Sequence, residues 1–240
     1  MRSAFARPGG SHDRNGRRAA GLSAAAALAG GGTTRFAAGP PRADAPRQIG
    51  DLTLIERSFD DFCDFGIGWA WEKTDEHDLR LDIADDGTCT YRMTQLADGA
   101  FVSVSDGHAA TGDFVVAADV TPQGRDGVVG IAFGVPVDFS RALFYVVAQD
   151  GDYGLFRFAD GGLTSIGGGK ATVDGTRPLA LAAAVRDASV TLYLNGTALA
   201  EIPDTSPHAG RVGTYVEWAG GTGAFTAEYA RIRVSAISAP

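Results

Sequence analysis

Short segments that alternate apolar and polar residues, each closed by a turn-forming sequence, recur along the chain after Asp51. Residues 79–83 alternate in this way before the turn Asp85-Asp86-Gly87, and residues 114–120 form a longer apolar segment that ends before Pro122. Alternation with period two is typical of β-strands with one buried face. Roughly twelve such segments follow one another, at the spacing of about ten residues that all-β domains show. The pattern therefore predicts a sandwich or a barrel.

Glycine-containing turns support this interpretation. Glycine accounts for 33 of the 240 residues, which is about twice its usual share. Asn195-Gly196 separates the predicted strands 190–194 and 198–202. This dipeptide is the strongest short hairpin signal, because a type I′ turn needs positive φ at both central residues. No amphipathic helix of useful length competes after residue 45.

Residues 1–45 differ from the rest of the chain. Arginines precede the Ala-rich run 19–29, and a glycine-rich and then a Pro- and Arg-containing segment follows. This is the order of an export signal, and Arg17-Arg18 before a weakly apolar run resembles a twin-arginine signal. We therefore predict an export leader over 1–45, a linker over 46–55 and a domain over 56–240, located in the periplasm or outside the cell. The alternative is a disordered low-complexity leader or a misassigned start codon.

The charge of the chain is unevenly distributed. The full sequence has 21 Lys+Arg against 29 Asp+Glu, a net charge of −8. The leader holds seven arginines and two aspartates, so the remainder keeps 14 basic and 27 acidic residues, a net charge of −13. An acidic domain argues against nucleic acid as a partner and makes neutral glycans better ligand candidates than anionic ones. No stretch of 18 apolar residues is present, so no membrane span is predicted.

The two cysteines, Cys63 and Cys89, both follow the predicted leader. In an oxidising compartment they are expected to form one disulfide, which would stabilise the fold by about 3 kcal/mol if unstrained. Two buried free thiols are the alternative. A zinc site is not indicated, because two cysteines without nearby histidines do not supply its four ligands.

Four short motifs occur in an order that resembles bacterial concanavalin A-like jelly-roll domains, which include laminin-G-like and 3-keto-disaccharide-hydrolase-like domains. They span about residues 56–234 and encode turns and core positions rather than chemistry. The resemblance implies an all-β, two-sheet antiparallel jelly-roll sandwich behind a disordered or helical leader. This fold carries lectins, hydrolases, lyases and interaction modules, so it leaves the function open. The motifs are D-D-F-x-D-x-x-x-G-W at 60–69, F-Y…D-G-D-Y-G-L-F at 144–156, V-T-L-Y-L-N-G at 190–196 and G-R-V-G at 210–213.

The resemblance places a ligand on the concave sheet or its rim loops. Sugars are bound by aromatic rings that stack on their C–H faces and by polar side chains that bond their hydroxyls. Trp69 is expected to be a core residue. Because the strand register is not fixed by the sequence, at most one of Tyr145 and Arg157 is expected to face the concave side. The candidate ligand-binding residues are Trp71, Arg125, Tyr145, Gln149, Arg157 and Trp218.

A catalytic signature is missing from the sequence. Retaining glucanases of this fold resemble one another through an E-x-D-x-x-E strand, and this motif does not occur here. A G-x-S-x-G elbow does not occur either. The ionisable stretch 72–78 is interpreted as a solvated loop, and the histidines His77, His108 and His208 as scattered loop residues. Weak catalytic candidates are Glu72, His108, Asp126 and Glu217.

Calcium is implied only by the resemblance, since related jelly rolls bind it with loop carboxylates. The weak candidates are Asp150 and Asp152, although aspartate is also an ordinary turn residue. Three hypotheses remain: an exported domain that binds a neutral glycan or glycoside, a glycoside-active hydrolase or lyase, and a protein-interaction module.

Overall fold

A computed structural model describes residues 47–63, 68–174, 177–204, 209–220 and 223–238. These residues form sixteen β-strands and contain no helix long and apolar enough to cross a membrane. The predicted leader and His208 lie outside the described residues. The strands are β1 (Arg47–Ile49), β2 (Leu52–Asp60), β3 (Glu72–Lys73), β4 (His77–Ile83), β5 (Cys89–Gln95), β6 (Gly99–Ala110), β7 (Phe114–Gln123), β8 (Gly127–Val135), β9 (Arg141–Ala148), β10 (Asp152–Ala159), β11 (Gly162–Lys170), β12 (Leu179–Arg186), β13 (Ser189–Leu194), β14 (Thr197–Pro203), β15 (Gly210–Trp218) and β16 (Phe225–Ile237).

The strands pair in two antiparallel sheets, which confirms the predicted jelly-roll sandwich. Sheet A has the order β14-β13-β12-β7-β16-β5-β4-β3, with β2 paired to β16 and β1 to β2. Sheet B has the order β11-β10-β9-β8-β15-β6. The chain changes sheet between β5 and β6, between β6 and β7, and between β7 and β8. It does so again between β11 and β12, β14 and β15, and β15 and β16.

The core lies between the sheets and follows from the alternation seen in the sequence. In β8, Val129, Ile131 and Phe133 point into the core, whereas Val128 and Ala132 lie on the opposite face of sheet B. Every residue of β8 is nonetheless buried, which explains why this strand is continuously apolar rather than alternating. Both faces of sheet B therefore carry apolar side chains, including the face turned away from sheet A.

The segment 46–55 is not a linker, contrary to the prediction. From Arg47 it forms β1 and the start of β2, and these two strands pair as a hairpin. Leu54 of β2 is buried with Val115 and Tyr193 on the outer face of sheet A. The apolar residues that the prediction left in a linker thus cover part of that face.

Two turns show how local sequence fixes strand order. Asn195 and Gly196 have φ values of 52° and 80° between β13 and β14, as the type I′ prediction requires. Gly124, in the β7–β8 turn, has a φ of 109°, and a Cβ there would lie 2.8 Å from the carbonyl oxygen of Ala224. Glycine is therefore needed where this turn approaches the segment that precedes β16.

Candidate functional site

The D-D-F…G-W motif forms a buried hydrogen-bonded cluster rather than a ligand site. The carboxylate of Asp60 accepts hydrogen bonds from the backbone N–H of Phe62, at 2.6 Å, and from Trp69 Nε1, at 2.5 Å. His108 Nε2 lies 3.2 Å from Asp60 Oδ2. Phe62 has a φ of 64°, a left-handed conformation that the Asp60 hydrogen bond supports. We call Asp60, Phe62, Trp69, Tyr91 and His108 the buried cluster.

Aromatic stacking and a disulfide complete the buried cluster. Trp69 and Tyr91 have ring centroids 5.3 Å apart, and Phe62 stacks on Tyr91 at 5.6 Å. Cys63 and Cys89 form the predicted disulfide, with Cα atoms 5.2 Å apart. Trp69 is a core residue, as expected. The motif therefore ties the long connection after β2 to β5 and has a structural role.

His108 lies in strand β6 and is 3% exposed, so the prediction of a solvated loop residue is wrong. Among the described residues its Nδ1 atom has no hydrogen-bond partner. Ring contact with Trp69, at 6.4 Å, and the carboxylate of Asp60 hold the imidazole inside the protein. This position keeps it away from any surface ligand.

The outer face of sheet B, meaning the face turned away from sheet A, is the candidate surface. Cross-strand partners on it fall in rows. One row runs from Val102 through Tyr215, Gly130 and Val146 to Gly154. The glycines permit close packing: a Cβ at Gly130 would lie 2.4 Å from the carbonyl oxygen of Tyr145, and one at Gly154 would lie 2.7 Å from the Phe156 ring. Most other side chains on this face are apolar, and they pack into one hydrophobic cluster. All of its residues belong to sheet B or to the loop before β9. The buried members are Val128, Ala132, Val135, Ala142, Phe144, Val146, Ala148 and Tyr215, and the partly buried ones are Ala100, Val102, Val104, Phe139, Phe156 and Phe158.

Polar residues gather at one end of the outer face. Three features meet there: the β7–β8 turn, the β9–β10 turn and the C-terminal end of β15, as shown by the pairing of Glu217 with Val128 and of Val128 with Ala148. Lys170 pairs with Asp152 at the neighbouring strand ends. We call this group the polar end. It brings together four sequence-predicted candidates and both calcium candidates, and its members are Arg125, Asp126, Gln149, Asp150, Asp152, Lys170 and Glu217.

Two side chains hold the polar end in place. The hydroxyl of Tyr215 donates to Glu217 Oε2 at 2.7 Å, so the other carboxylate oxygen of Glu217 is left for another donor. Burial, followed by the charge of Glu217, raises the pKa of Tyr215 well above its ordinary value. Tyr215 therefore stays protonated at neutral pH and keeps donating to this carboxylate.

The second positioning residue is Gln149. Its Nε2 donates to the carbonyl oxygen of Gly124 at 3.1 Å, and its backbone N–H donates to the carbonyl oxygen of Gly127. Both contacts bind the β9–β10 turn to the β7–β8 turn. Arg125 and Asp126, which are exposed on that turn, are held next to the end of β15.

Three predicted ligand-binding residues face the space between the sheets instead. Tyr145 and Trp218 are buried core residues, and Tyr145 donates its hydroxyl to the carbonyl oxygen of Tyr193 at 3.1 Å. Arg157, on the same side of its strand, forms an ion pair with Asp204 beside sheet A. The cause is strand parity. Leu155 pairs with Tyr145, so both strands direct these residues inward, while Glu217 points out beside an inward Trp218.

Trp71 lies at the edge of sheet A, directly before Glu72 of β3, which pairs with β4. The carbonyl oxygen of Ala70 accepts the hydroxyl of Tyr91, which also lies 2.8 Å from Ser103 Oγ on β6. Trp71 follows directly and is 77% exposed. It thus presents an exposed aromatic ring at the β3 edge of sheet A.

The stretch 72–78 is partly ordered rather than a solvated loop, and this corrects the prediction. Glu72 belongs to β3, and its Oε1 lies 3.0 Å from Nε2 of the buried His77. The His77 ring stacks on Phe101 at 4.4 Å. Glu72 is therefore engaged at the sandwich edge and is separate from Asp126 and Glu217.

The calcium candidates do not fit a metal ion. Asp152 Oδ1 accepts a hydrogen bond from Lys170 Nζ at 2.9 Å, and Asp150 Oδ2 lies 3.7 Å from the same ammonium. Within the described part of the chain, no group of three or more His, Cys, Asp or Glu side chains could hold a metal. Lys170 puts a positive charge where the cation would bind, and these contacts raise the lysine's pKa.

Sequence reasoning missed Tyr215 and Lys170. Tyr215 lies two residues before the predicted Glu217, a spacing that places both on one face of a strand, so the pair could have been found. Lys170 follows the run Gly167-Gly168-Gly169, which gives no apolar pattern from which a strand could be recognised.

Comparison with known proteins bears on the fold alone. No protein-family model matches the chain, and no curated protein matches it. Among solved structures, it is similar to a Bacillus subtilis protein of unknown function with a galectin-like fold, with a TM-score of 0.57, 13% identity and coverage of 78% of this chain and 100% of that one. The Bacillus licheniformis beta-glucanase is similar with a TM-score of 0.54 and 10% identity, over 76% of this chain and 98% of that one.

A carbohydrate-binding module, CBM66 from Bacillus subtilis, is also similar, with a TM-score of 0.53 and 17% identity over 68% of this chain and 92% of that one. Identities this low indicate a shared architecture and do not indicate shared chemistry. The protein is a jelly roll with the fold of carbohydrate-binding modules, glucanases and galectin-like proteins.

Proposed function

We propose that this protein is an exported carbohydrate-binding domain that recognises a neutral glycan or glycoside at the polar end of sheet B. The observation that carries the proposal is the Tyr215–Glu217 pair, which presents an oriented carboxylate at the end of an apolar sheet face. Charge-assisted hydrogen bonds from sugar hydroxyls to a carboxylate are stronger than those between neutral groups. Glu217 is the proposed acceptor, and the exposed Arg125 is the proposed donor.

Trp71 is the proposed stacking platform. It lies at the β3 edge of sheet A, which reaches β6 of sheet B through the packing of His77 on Phe101. Ala100, next to Phe101, pairs with Glu217. An exposed indole ring can cover the apolar C–H face of a sugar while polar groups bond its hydroxyls. The high exposure of Trp71 is otherwise unfavourable in water, which supports a ligand-binding role.

Charge and compartment complete the proposal. The polar end holds two cations, Arg125 and Lys170, against the four carboxylates of Asp126, Asp150, Asp152 and Glu217. This local excess of negative charge favours neutral over anionic glycans. The leader over 1–45 and the Cys63–Cys89 disulfide support a periplasmic or extracellular location.

An affinity screen tests the proposal. The full chain should be retained on at least one neutral polysaccharide and on no anionic one. Glu217→Gln should weaken binding at least tenfold, because a charged hydrogen-bond partner contributes about 1.5–3 kcal/mol. Glu201→Gln, which removes the same charge from exposed strand β14 of sheet A, is the matched control and should bind normally. Retention on no glycan would contradict the proposal and favour a protein-interaction module.

A glycoside-active enzyme is the second candidate, favoured by the presence of two carboxylates at one end. Asp126 lies on the turn before β8, its carbonyl oxygen accepts the N–H of Ala219, and Glu217 pairs with Val128 two residues further. The other catalytic candidates, Glu72 and His108, are engaged elsewhere. Release of new reducing ends from a retained glycan, lost in both Asp126→Asn and Glu217→Gln, would support this alternative.

A further inference from the structure

The outer face of sheet B is divided into two chemically different halves. Beyond the Tyr215 row, the next outward positions are Gly213, Ala132, Phe144 and Phe156, which are consecutive cross-strand partners. Phe158 follows on β10, beside Leu163 of β11. We call Phe139, Phe144, Phe156, Phe158 and Leu163 the aromatic end.

The aromatic end remains open to a ligand at its rim. Phe139 and Phe158 are half-buried, with ring centroids 5.8 Å apart. Leu163 is 41% exposed, and Val137, in the loop before β9, is 79% exposed. All of these residues belong to sheet B and that loop. Clustered exposed apolar side chains on one face are typical of a binding surface.

Arg211, at the start of β15, is engaged within the protein. Arg211 forms an ion pair with Asp106 and donates to the carbonyl oxygens of Pro136, at 2.8 Å, and Val137, at 3.2 Å. Its guanidinium therefore holds the loop before β9 against β6. Asp138, in this loop, accepts the N–H of Ser140, and Asp160 follows β10, so two exposed carboxylates border the phenylalanines. The rings themselves form an apolar surface between them.

The separation of the ends limits the ligand. Glu217 and Gly213 are four residues apart on β15, which is about 13 Å along a strand. A sugar ring bound at Glu217 cannot also cover the phenylalanines. A second sugar over the phenylalanines could stack on their rings, but only the hydroxyls that reach the Asp138 or Asp160 carboxylates would regain hydrogen-bond partners. An apolar group attached to the sugar has no hydroxyls to desolvate.

We propose that the outer face binds a glycoside with an apolar aglycone, whose sugar lies at the polar end and whose aryl or alkyl group lies on the aromatic end. This inference rests on the proposed function and names its ligand class. The juxtaposition of an oriented carboxylate with a phenylalanine surface on one sheet face carries it.

Paired glycosides test the inference with the full chain. Methyl and benzyl glycosides of glucose, galactose, xylose and mannose are titrated by calorimetry, with benzyl alcohol as the aglycone alone. For the sugar that binds, the benzyl glycoside should bind at least tenfold more tightly than the methyl glycoside. Phe158→Ala should reduce benzyl binding to the methyl level and leave methyl binding unchanged. Ile83→Ala, an exposed apolar residue of sheet A, should change neither.

The outcomes separate the two proposals. Equal binding of methyl and benzyl glycosides would overturn the ligand class and leave glycan binding intact. A benzyl preference that survives both Phe158→Ala and Leu163→Ser, the second being an edge-strand change that tolerates substitution, would also overturn it. That result would mean that the benzyl group binds elsewhere on the protein. No binding of any glycoside, or binding of benzyl alcohol as tight as that of the benzyl glycosides, would overturn the proposed function itself.

Discussion

The molecule places a carboxylate beside aromatic rings in two regions, and the surroundings of the two differ. In the buried cluster, both oxygens of Asp60 are engaged, with Phe62, Trp69 and His108 as partners. At the polar end, Glu217 is half-buried, and the hydroxyl of Tyr215 bonds one of its oxygens. The first carboxylate has its hydrogen-bonding capacity met from within the protein, whereas the second retains an oxygen for an outside donor.

The difference shows that the recognisable motif and the candidate site are separate. The D-D-F…G-W motif identifies the fold because it holds the connection after β2 in place. The polar end is assembled from turns and strand ends that are distant in sequence. We therefore expect changes in the buried cluster to affect stability, and changes at the polar end to affect binding.

Removal of the Asp60 carboxylate should have the largest effect on stability. Asp60→Ala leaves the N–H groups of Phe62 and Trp69 buried without an acceptor and deprives His108 of its partner. We expect a loss of about 3–5 kcal/mol in the free energy of unfolding, measured by urea denaturation. The neighbouring Asp61 is the matched control, because it is exposed and, among the described residues, accepts one hydrogen bond, from the backbone N–H of Cys63 at 3.1 Å. Asp61→Ala should cost less than about 1 kcal/mol, and equal losses would contradict a special role for Asp60.

Alkaline pH should reveal a smaller effect that both regions share. Burial raises the pKa of Tyr91 in the buried cluster and of Tyr215 beside the polar end. Below about pH 10 a tyrosine is neutral in both the folded and unfolded states. Above that pH only the unfolded state ionises, so the free energy of unfolding falls by about 1.4 kcal/mol per pH unit for each such tyrosine.

Two substitutions make this effect distinguish the regions. Tyr91→Phe and Tyr215→Phe should each reduce the alkaline loss of stability by the contribution of one tyrosine, measured from urea midpoints between pH 9 and 11. Only Tyr215→Phe should also weaken glycan binding at pH 7, because it releases Glu217. If Tyr215→Phe left the pH dependence of stability unchanged, the hydroxyl of Tyr215 in the unsubstituted protein would be exposed to water rather than buried.

Much of the fold could be predicted from the sequence because alternation and turn residues are local signals. The Asn195-Gly196 hairpin and the Cys63–Cys89 disulfide are both observed. Strand β11 was missed because Gly167-Gly168-Gly169 has no side chains from which a pattern could be read. The β1–β2 hairpin was missed because its buried positions are set by contact with Tyr193 and Val115 on distant strands.

The candidate site could be predicted only in part. Arg125, Gln149 and Glu217 could be proposed from their chemistry alone. They converge because their turns and strand ends are neighbours in sheet B. Tyr145, Arg157 and Trp218 were misplaced, since a shift of one residue in register reverses the face of a strand. Pairing partners set that register, and a single sequence does not show them.

The central claim, that the polar end binds a neutral glycan, is tested most directly by the indole N–H signals of the three tryptophans in a ¹H–¹⁵N spectrum. The glycan retained most strongly in the affinity screen is titrated into the full chain. We predict that the signal of exposed Trp71 shifts, together with the backbone amides of Gly127 and Glu217, while those of buried Trp69 and Trp218 do not. Shifts confined to Trp69 and His108 or to sheet A, or no shift at all, would contradict the claim.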